Sequence, residues 1–324
     1  MKRLVSLSLL GLLVLAFAVP ATPQGPGLFV RSDCTTITTP VTGQTWCFDA
    51  TAQLPKVWNG SAFVQAPATS TLIIRSYLAG LTLSTAGSST TMTIAAGTAA
   101  DSTNVDMLTL ASSLAKTTAA WAVGTATGGL DTGTIANSTW YHFHLIKRTD
   151  TAVVDVLVSL SATAPTMPTN YTERRRIGSG RTDGSGNWTA FNQNGGEFLW
   201  STAILDVDAT NPGAAAVTRT LTVPTGVIVN VLINVVQVNT AGAVSPGFYG
   251  SALVQSDQAA SITAAPLVQV GETFGTGSNK DAGGYLIVQT NTSAQIRTRL
   301  AASDGSVILR IATLGWIDPR GREN

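Results

Sequence analysis

Charged side chains are scarce in this sequence. Only 11% of its 324 residues are Asp, Glu, Lys or Arg, and 19 basic against 18 acidic residues leave a formal net charge of +1. Soluble domains usually carry about 25% charged residues. Nucleic acid is excluded as an expected partner, because a phosphate backbone is bound through clustered Lys and Arg. The one cluster, Arg174, Arg175 and Arg176, is interpreted as exposed arginines that alternate along a strand.

Motifs of known enzyme classes are missing as well. The sequence contains no Gly-x-Ser-x-Gly elbow and no phosphate-binding loop. Its acidic residues are few and scattered, whereas general acid–base catalysis needs paired carboxylates in a cleft. We therefore predict that this chain is not an enzyme and that it needs no cofactor.

Cysteine is limited to Cys34 and Cys47. An even number of cysteines behind an export signal predicts one disulfide. Two buried free thiols are the alternative. A zinc site is not expected, because the further soft ligands that zinc needs are missing.

The N-terminus has the pattern of a secretory signal peptide. Lys2 and Arg3 precede an apolar run over residues 4–19, in which Ala16 and Ala18 are small residues suited to cleavage. This run is shorter than the ~20 residues that span a bilayer. We predict a cleaved leader over residues 1–21, with an uncleaved anchor as the alternative.

A period of two dominates the rest of the chain. Residues 140–146 alternate as a half-buried strand does, and residues 151–160 are rich in valine. Such segments recur about every 8–12 residues, with Gly, Asn and Asp turns between them. Residues 105–123 fit either a helix or strands, and their β surroundings favour strands. The sequence predicts an all-β fold.

The segment pattern also predicts a domain organisation. After the leader we expect a small hairpin module and linker over residues 22–70, in which Asn59-Gly60 makes the turn. Two antiparallel, jelly-roll-like β-sandwiches then follow over residues 71–202 and 203–324. The second is expected to end in an exposed, charged C-terminal tail.

Two sets of side chains are candidate site residues. His142 and His144 lie one strand repeat apart, so they could share a metal at the axis of a homotrimer. An ordinary strand surface is the favoured interpretation, and no metal site is predicted. Trp140, Tyr171 and Trp188 are candidates for stacking on sugar rings, but packing in a core or interface is the favoured interpretation for each of them.

Four phrases of the sequence resemble an uncharacterised family of tailed-bacteriophage virion proteins, usually called tail or tail-fibre proteins. They are residues 79–88 (AGLTLSTAGS), 139–146 (TWYHFHLI), 162–179 (ATAPTMPTNYTERRRIGS) and 315–322 (GWIDPRGR). The resemblance covers the chain from about Ser70 onwards. It implies a structural or adhesive role, and it implies no catalytic activity.

The resemblance leads to our preferred functional hypothesis. The chain would be a virion appendage protein, a homo-oligomer with a trimer favoured, which binds other virion proteins or a host-surface glycan. The leader and the cysteine pair favour an alternative. In that case the chain would be a secreted or surface-anchored bacterial module that binds glycan or matrix.

Overall fold

The computed structural model describes residues 28–31, 34, 37, 40, 42–49, 54–65, 73–241, 244–271 and 280–322. The predicted leader over residues 1–21 lies outside these ranges. The described residues form β-strands and contain no α-helix, so no helix there has the length and apolarity to cross a membrane. The all-β prediction is confirmed. Two compact units divide the chain, Met1–Leu72 and Ile73–Asn324.

The first unit contains a four-stranded sheet. Its strands are β1 (Leu28–Arg31), β2 (Trp46–Asp49), β3 (Leu54–Trp58) and β4 (Phe63–Gln65), paired in that order. Strands β1 and β2 are parallel and the other pairs are antiparallel. The predicted hairpin is present, and the Asn59 side chain closes its loop by accepting hydrogen bonds from the N–H groups of Ser61 and Ala62, both at 2.9 Å.

The predicted disulfide between Cys34 and Cys47 is confirmed. The two Cα atoms lie 5.8 Å apart, which is an ordinary separation for this bond. Both cysteines are buried and pack with Ile37 and Phe63 in a small cluster. This cluster is small within the described residues, and the covalent link adds to its stability.

The described part of the second unit contains β-strands joined by turns and loops. They are β5 (Leu78–Gly80), β6 (Leu83–Ser84), β7 (Thr91–Ile94), β8 (Gly97–Ala100), β9 (Met107–Leu110), β10 (Leu114–Ala120), β11 (Thr127–Leu130), β12 (Trp140–Arg148), β13 (Val154–Ser159), β14 (Tyr171–Arg181), β15 (Phe191–Asn194), β16 (Glu197–Thr210), β17 (Val217–Thr220), β18 (Asn230–Asn239), β19 (Phe248–Ser251), β20 (Lys280–Gln289), β21 (Gln295–Leu300) and β22 (Val307–Ile317). Strands β9 and β10 show that residues 105–123 are extended, as favoured.

Four sheets arise from these strands. The largest has the order β14-β12-β13-β11-β10-β7-β6, and a five-stranded sheet has the order β15-β16-β22-β18-β20. Two three-stranded sheets have the orders β17-β21-β19 and β5-β8-β9. Most pairs are antiparallel, but β11 is parallel to both β10 and β13.

One hydrophobic core joins the segments that the sequence assigns to two sandwiches. Trp316 of β22 stacks on Phe198 of β16 at 5.0 Å between ring centroids, and it meets Trp140 of β12 edge-on at 5.3 Å. The expected boundary between residues 202 and 203 falls inside β16. Because residues on both sides of it bury the same aromatic cluster, the second unit is continuous across that position.

Several segments are more buried than their sequence pattern indicates. Strand β12 is buried on both faces, not half-buried. Arg175 and Arg176 are buried, not exposed. The C-terminal residues do not form the expected exposed tail either, since Asp318 and Arg320 are each 1% exposed. For Arg176, Asp318 and Arg320 the correction has one cause, because an ion pair and backbone carbonyls satisfy these charged groups inside the fold.

Candidate functional site

Trp140 and Trp188 lie in the core and not on a binding surface. Trp188 packs against Tyr141 and Phe143, and its indole N–H donates to the carbonyl of Thr90 at 3.1 Å. Trp140 packs against Trp200 and Trp316. Both rings are covered, so neither can stack on a sugar in this conformation. The favoured interpretation of these two residues, packing in a core, accounts for both.

His142 and His144 are also buried within the fold. His142 Nδ1 lies 2.9 Å from Ser179 Oγ, and His144 Nε2 lies 2.9 Å from the carbonyl oxygen of Ser161. Burial lowers the pKa of His142 to about 3 and that of His144 to about 4, and the positive charge of Arg176 adds to both shifts. The imidazoles face partners from their own chain, which does not fit an axial metal site.

Metal ligands do not cluster elsewhere in the described ranges. No group of three or more His, Cys, Asp or Glu side chains there is arranged to hold an ion.

Tyr171 is the predicted aromatic residue that does line a cavity. This cavity, the Trp121 groove, has a volume of about 900 Å³, within the ~300–1,000 Å³ range of small-molecule sites. Its walls come from β10, β11, β12, β14 and the loops beside them. The lining residues are Ala120, Trp121, Val123, Leu130, Asp131, Thr132, Gly133, Arg148, Thr151, Val153, Thr166, Met167, Pro168, Thr169 and Tyr171.

Two aromatic side chains line the groove: Trp121 is partly exposed, and Tyr171 is 6% exposed. Trp121 and Tyr171 meet edge-on, with ring centroids 5.2 Å apart and an interplanar angle of 79°. The indole N–H of Trp121 donates to the carbonyl of Val156 at 3.2 Å, which fixes the ring. Lys116 Nζ lies 5.5 Å from the centre of the same ring, within the range of a cation–π contact.

A buried ion pair holds the chain that carries Trp121. Lys116 Nζ lies 2.8 Å from Asp155 Oδ1 and also donates to the carbonyls of Ala122 and Gly124. Asp155 Oδ2 in turn accepts from the Gly124 N–H at 2.8 Å. Burial lowers the pKa of Lys116, and Asp155 opposes that shift. Both members of the pair therefore form hydrogen bonds with the turn after Trp121 and fix its position.

The polar side of the groove carries few charged side chains. Asp131 accepts the N–H groups of Thr132 and Thr166 at 2.8 and 2.9 Å, and Arg148 pairs with Asp150 at 2.6 Å. Among the described residues that line the groove, Asp131 is the one carboxylate. Glycoside hydrolysis normally uses two carboxyl groups. The arrangement offers hydroxyls, one carboxylate and one guanidinium beside aromatic carbon.

Sequence reasoning missed Trp121, the central residue of this groove. It lies in the segment whose helix or strand character was ambiguous, so no face was assigned to it. The available signal was its isolation: one tryptophan ends the run of Thr and Ala from Thr117 to Ala120. A large ring among small side chains is poorly covered by its neighbours in sequence.

Comparisons with known proteins give little further information. No protein-family model matches this chain, and no curated protein matches it. A solved structure described as "Major Tropism Determinant I1 Variant" is similar over 56% of this chain, with 13% identity and a TM-score of 0.29. The match spans about half, 52%, of that structure's chain. A likeness this distant indicates nothing about function.

Proposed function

We propose that this chain is an adhesive component of a tailed-phage appendage and binds host-surface carbohydrate in the Trp121 groove. The observation that carries the proposal is the fixed pair of rings, Trp121 and Tyr171, beside the hydroxyl-rich side of the groove. Sugar rings present C–H groups on their faces and hydroxyls at their edges. A wall of aromatic carbon with a few polar groups complements both.

The virion context is supported by the four phrases that resemble tail proteins. Three of these phrases meet in the fold: Arg320 donates to the carbonyls of Gly80, Leu81 and Ile177. The resemblance therefore involves residues that build the same structural junction. The low charge and the all-β fold agree with this context.

Self-association is supported by an apolar outer face on the five-stranded sheet. Leu205, Ala312, Asn234 and Tyr285 are paired side by side across β16, β22, β18 and β20. Leu205 is 56% exposed and Tyr285 54%. The nearby charges of Asp208 and Arg310 pair with each other at 3.1 Å, so two copies of this face would not repel one another. A homo-oligomer, with a trimer favoured, would cover it.

A glycan array probed with the labelled protein tests the proposed site. Replacing Trp121 by alanine should abolish binding to host cells and to any glycan that the unaltered protein retains. Tyr77→Ala is the matched control, because it removes another exposed ring, one that lines neither the groove nor the proposed self-association face, and it should retain binding. Circular dichroism must show that both variants keep their strand content. If the folded Trp121→Ala variant binds as well as the unaltered protein, the groove is not the carbohydrate-binding site.

A secreted or surface-anchored bacterial binding module is the second candidate. The Cys34–Cys47 disulfide favours it, because structural disulfides persist in oxidising compartments. Mass spectrometry separates the two candidates. Peptides of this chain in purified virions support the appendage, and peptides confined to the medium or cell envelope support the secreted module.

A further inference from the structure

Arg175 is a buried cation without a counter-charge in hydrogen-bond contact. Its side chain is 1% exposed, and none of Nε, Nη1 and Nη2 has a hydrogen-bond partner among the described residues. A guanidinium carries five N–H donors, and burying them unpaired is costly. Burial lowers the pKa of Arg175, and the charges of Arg176 and Arg322 lower it further.

The carboxylates that act on this region are already committed. Asp101 accepts from the N–H groups of Thr103, Val105 and Asp106 and from the Thr103 hydroxyl. These four hydrogen bonds fill the lone pairs of its two oxygens. Asp318 accepts two hydrogen bonds from the Arg176 guanidinium and one from the Arg320 N–H. Neither carboxylate is free to pair with Arg175.

A cavity of about 200 Å³ lies beside β14, which forms one edge of the seven-stranded sheet. The β-ladder pairs Arg176 with His144 and Arg175 with Leu145, so successive arginines approach the edge from opposite faces. The residues that line the cavity are Ser102, His144, Ala162, Thr163, Arg174, Arg175, Arg176 and Gly321. Three guanidinium-bearing residues therefore surround a small space, and no carboxylate is among the described residues that line it.

Gly321 brings the C-terminal segment against Arg175. Its φ of +69° lies in the left-handed region that favours glycine, and a Cβ at this position would lie 3.5 Å from Arg175 Nε. A neighbouring cavity of about 530 Å³ shares Thr163, Arg176 and Gly321 with the first. A ligand larger than the first cavity would extend into this neighbour.

We propose that the cavity beside Arg175 binds an oxyanion group, and that the Arg175 guanidinium supplies its principal charge partner. Phosphate, sulfate and carboxylate groups share the required chemistry, since each accepts paired hydrogen bonds from a guanidinium. The cavity shares no lining residue with the Trp121 groove. The inference is therefore independent of carbohydrate binding in that groove.

Thermal unfolding at constant ionic strength tests the oxyanion site. Inorganic phosphate and sulfate, each titrated against chloride, should raise the melting temperature of the unaltered protein. A rise of about 5 °C is expected once the anion exceeds its dissociation constant about a hundredfold. Glucose 6-phosphate and glucuronic acid form a second arm. If these compounds stabilise the protein more than inorganic phosphate and sulfate do, the bound oxyanion belongs to a larger ligand. If they stabilise it equally, the site binds a free ion.

The Arg175→Met variant separates anion binding from a purely structural role, because the two roles predict different effects on the melting temperature. Removing an unpaired buried charge should leave the melting temperature in chloride equal or higher, and phosphate should no longer raise it. Arg219→Met is the matched control, because Arg219 Nε is also buried without a partner but lies outside the cavity. This variant should keep the response to phosphate.

Two results would overturn the proposal. One is a melting temperature of the unaltered protein that does not respond to any of the four anions. The other is an Arg175→Met protein that still responds to phosphate. If Arg175→Met does not fold, Arg174→Gln replaces it; a response as large as in the unaltered protein then counts against the site.

Discussion

Asp318 and Arg176 form a buried, bidentate ion pair between residues that lie 142 positions apart in sequence. Arg176 Nη1 donates to Asp318 Oδ2 at 2.7 Å, and Nη2 donates to Oδ1 at 2.6 Å. Arg176 belongs to an edge strand of the seven-stranded sheet, and Asp318 directly follows β22 of the five-stranded sheet. The pair therefore fastens the two largest sheets at one point.

Breaking this pair should destabilise the second unit strongly. Asp318→Asn leaves the buried Arg176 charge uncompensated, and we expect a loss of about 3–5 kcal/mol in the free energy of unfolding, measured by urea denaturation. Asp208→Asn is the control: its pair with Arg310 is half exposed, so its loss should stay below about 1 kcal/mol. Similar urea midpoints for the two variants would contradict the assigned role.

Stability should fall as the solution becomes acidic, because both histidines are buried uncharged. Their pKa values are about 3 and about 4 in the folded protein, against 6.5 for a free side chain. The unfolded chain therefore binds more protons below pH 6.5, and stability decreases from there towards pH 4. At pH 5 each histidine should cost about 2 kcal/mol.

Urea denaturation between pH 5 and 8 measures this dependence. The His142→Asn and His144→Asn variants should each show a shallower decrease of stability towards pH 5 than the unaltered protein, whatever their absolute stability. An unchanged slope in both variants would show that other groups control the acid response.

Loss of the disulfide should affect the first unit alone. The bond closes a loop with a sequence separation of 13, which corresponds to about 3 kcal/mol of stabilisation. In the Cys34→Ser/Cys47→Ser variant, proteolysis within residues 28–65 should accelerate by about a hundredfold if it follows local unfolding. The second unit contains no cysteine, so its cleavage rate provides an internal control. Equal acceleration in both units would contradict this prediction.

The proposed self-association should depend on the apolar face of the five-stranded sheet. Leu205→Asp combined with Ile287→Asp places two charges on that face, and we expect an oligomer to dissociate to monomers in size-exclusion chromatography with light scattering. Val254→Asp is the control, since Val254 is exposed on a loop. A monomeric unaltered protein, or an oligomer that survives the double change, would rule out this interface.

The sequence predicts the strands well because their period of two is a local property. Strand β12 and its hairpin to β13 follow from alternation and valine content, and the Asn59-Gly60 turn follows from backbone preference. The disulfide follows from cysteine number. Each of these features depends on residues close in sequence or on a rare residue type.

The buried charges and the groove could not be predicted in the same way. Arg176 is read as exposed until its partner is known, and that partner, Asp318, lies in a segment that local charge marks as a tail. Trp121 lines a groove because Lys116 and Asp155 pin the turn after it. Such long-range pairings are set by which strands become neighbours, and alternation carries no information about that.

The position of Trp316 and Asp318 in the chain constrains folding during synthesis. The aromatic core of the second unit includes Trp140 and Phe198, yet it closes only when Trp316 reaches them. Domains generally fold as units as they leave the ribosome. Here the β-sheet core of the nascent chain stays incomplete until residue 318 has emerged. Late folding and intolerance of truncation before residue 318 follow from that order.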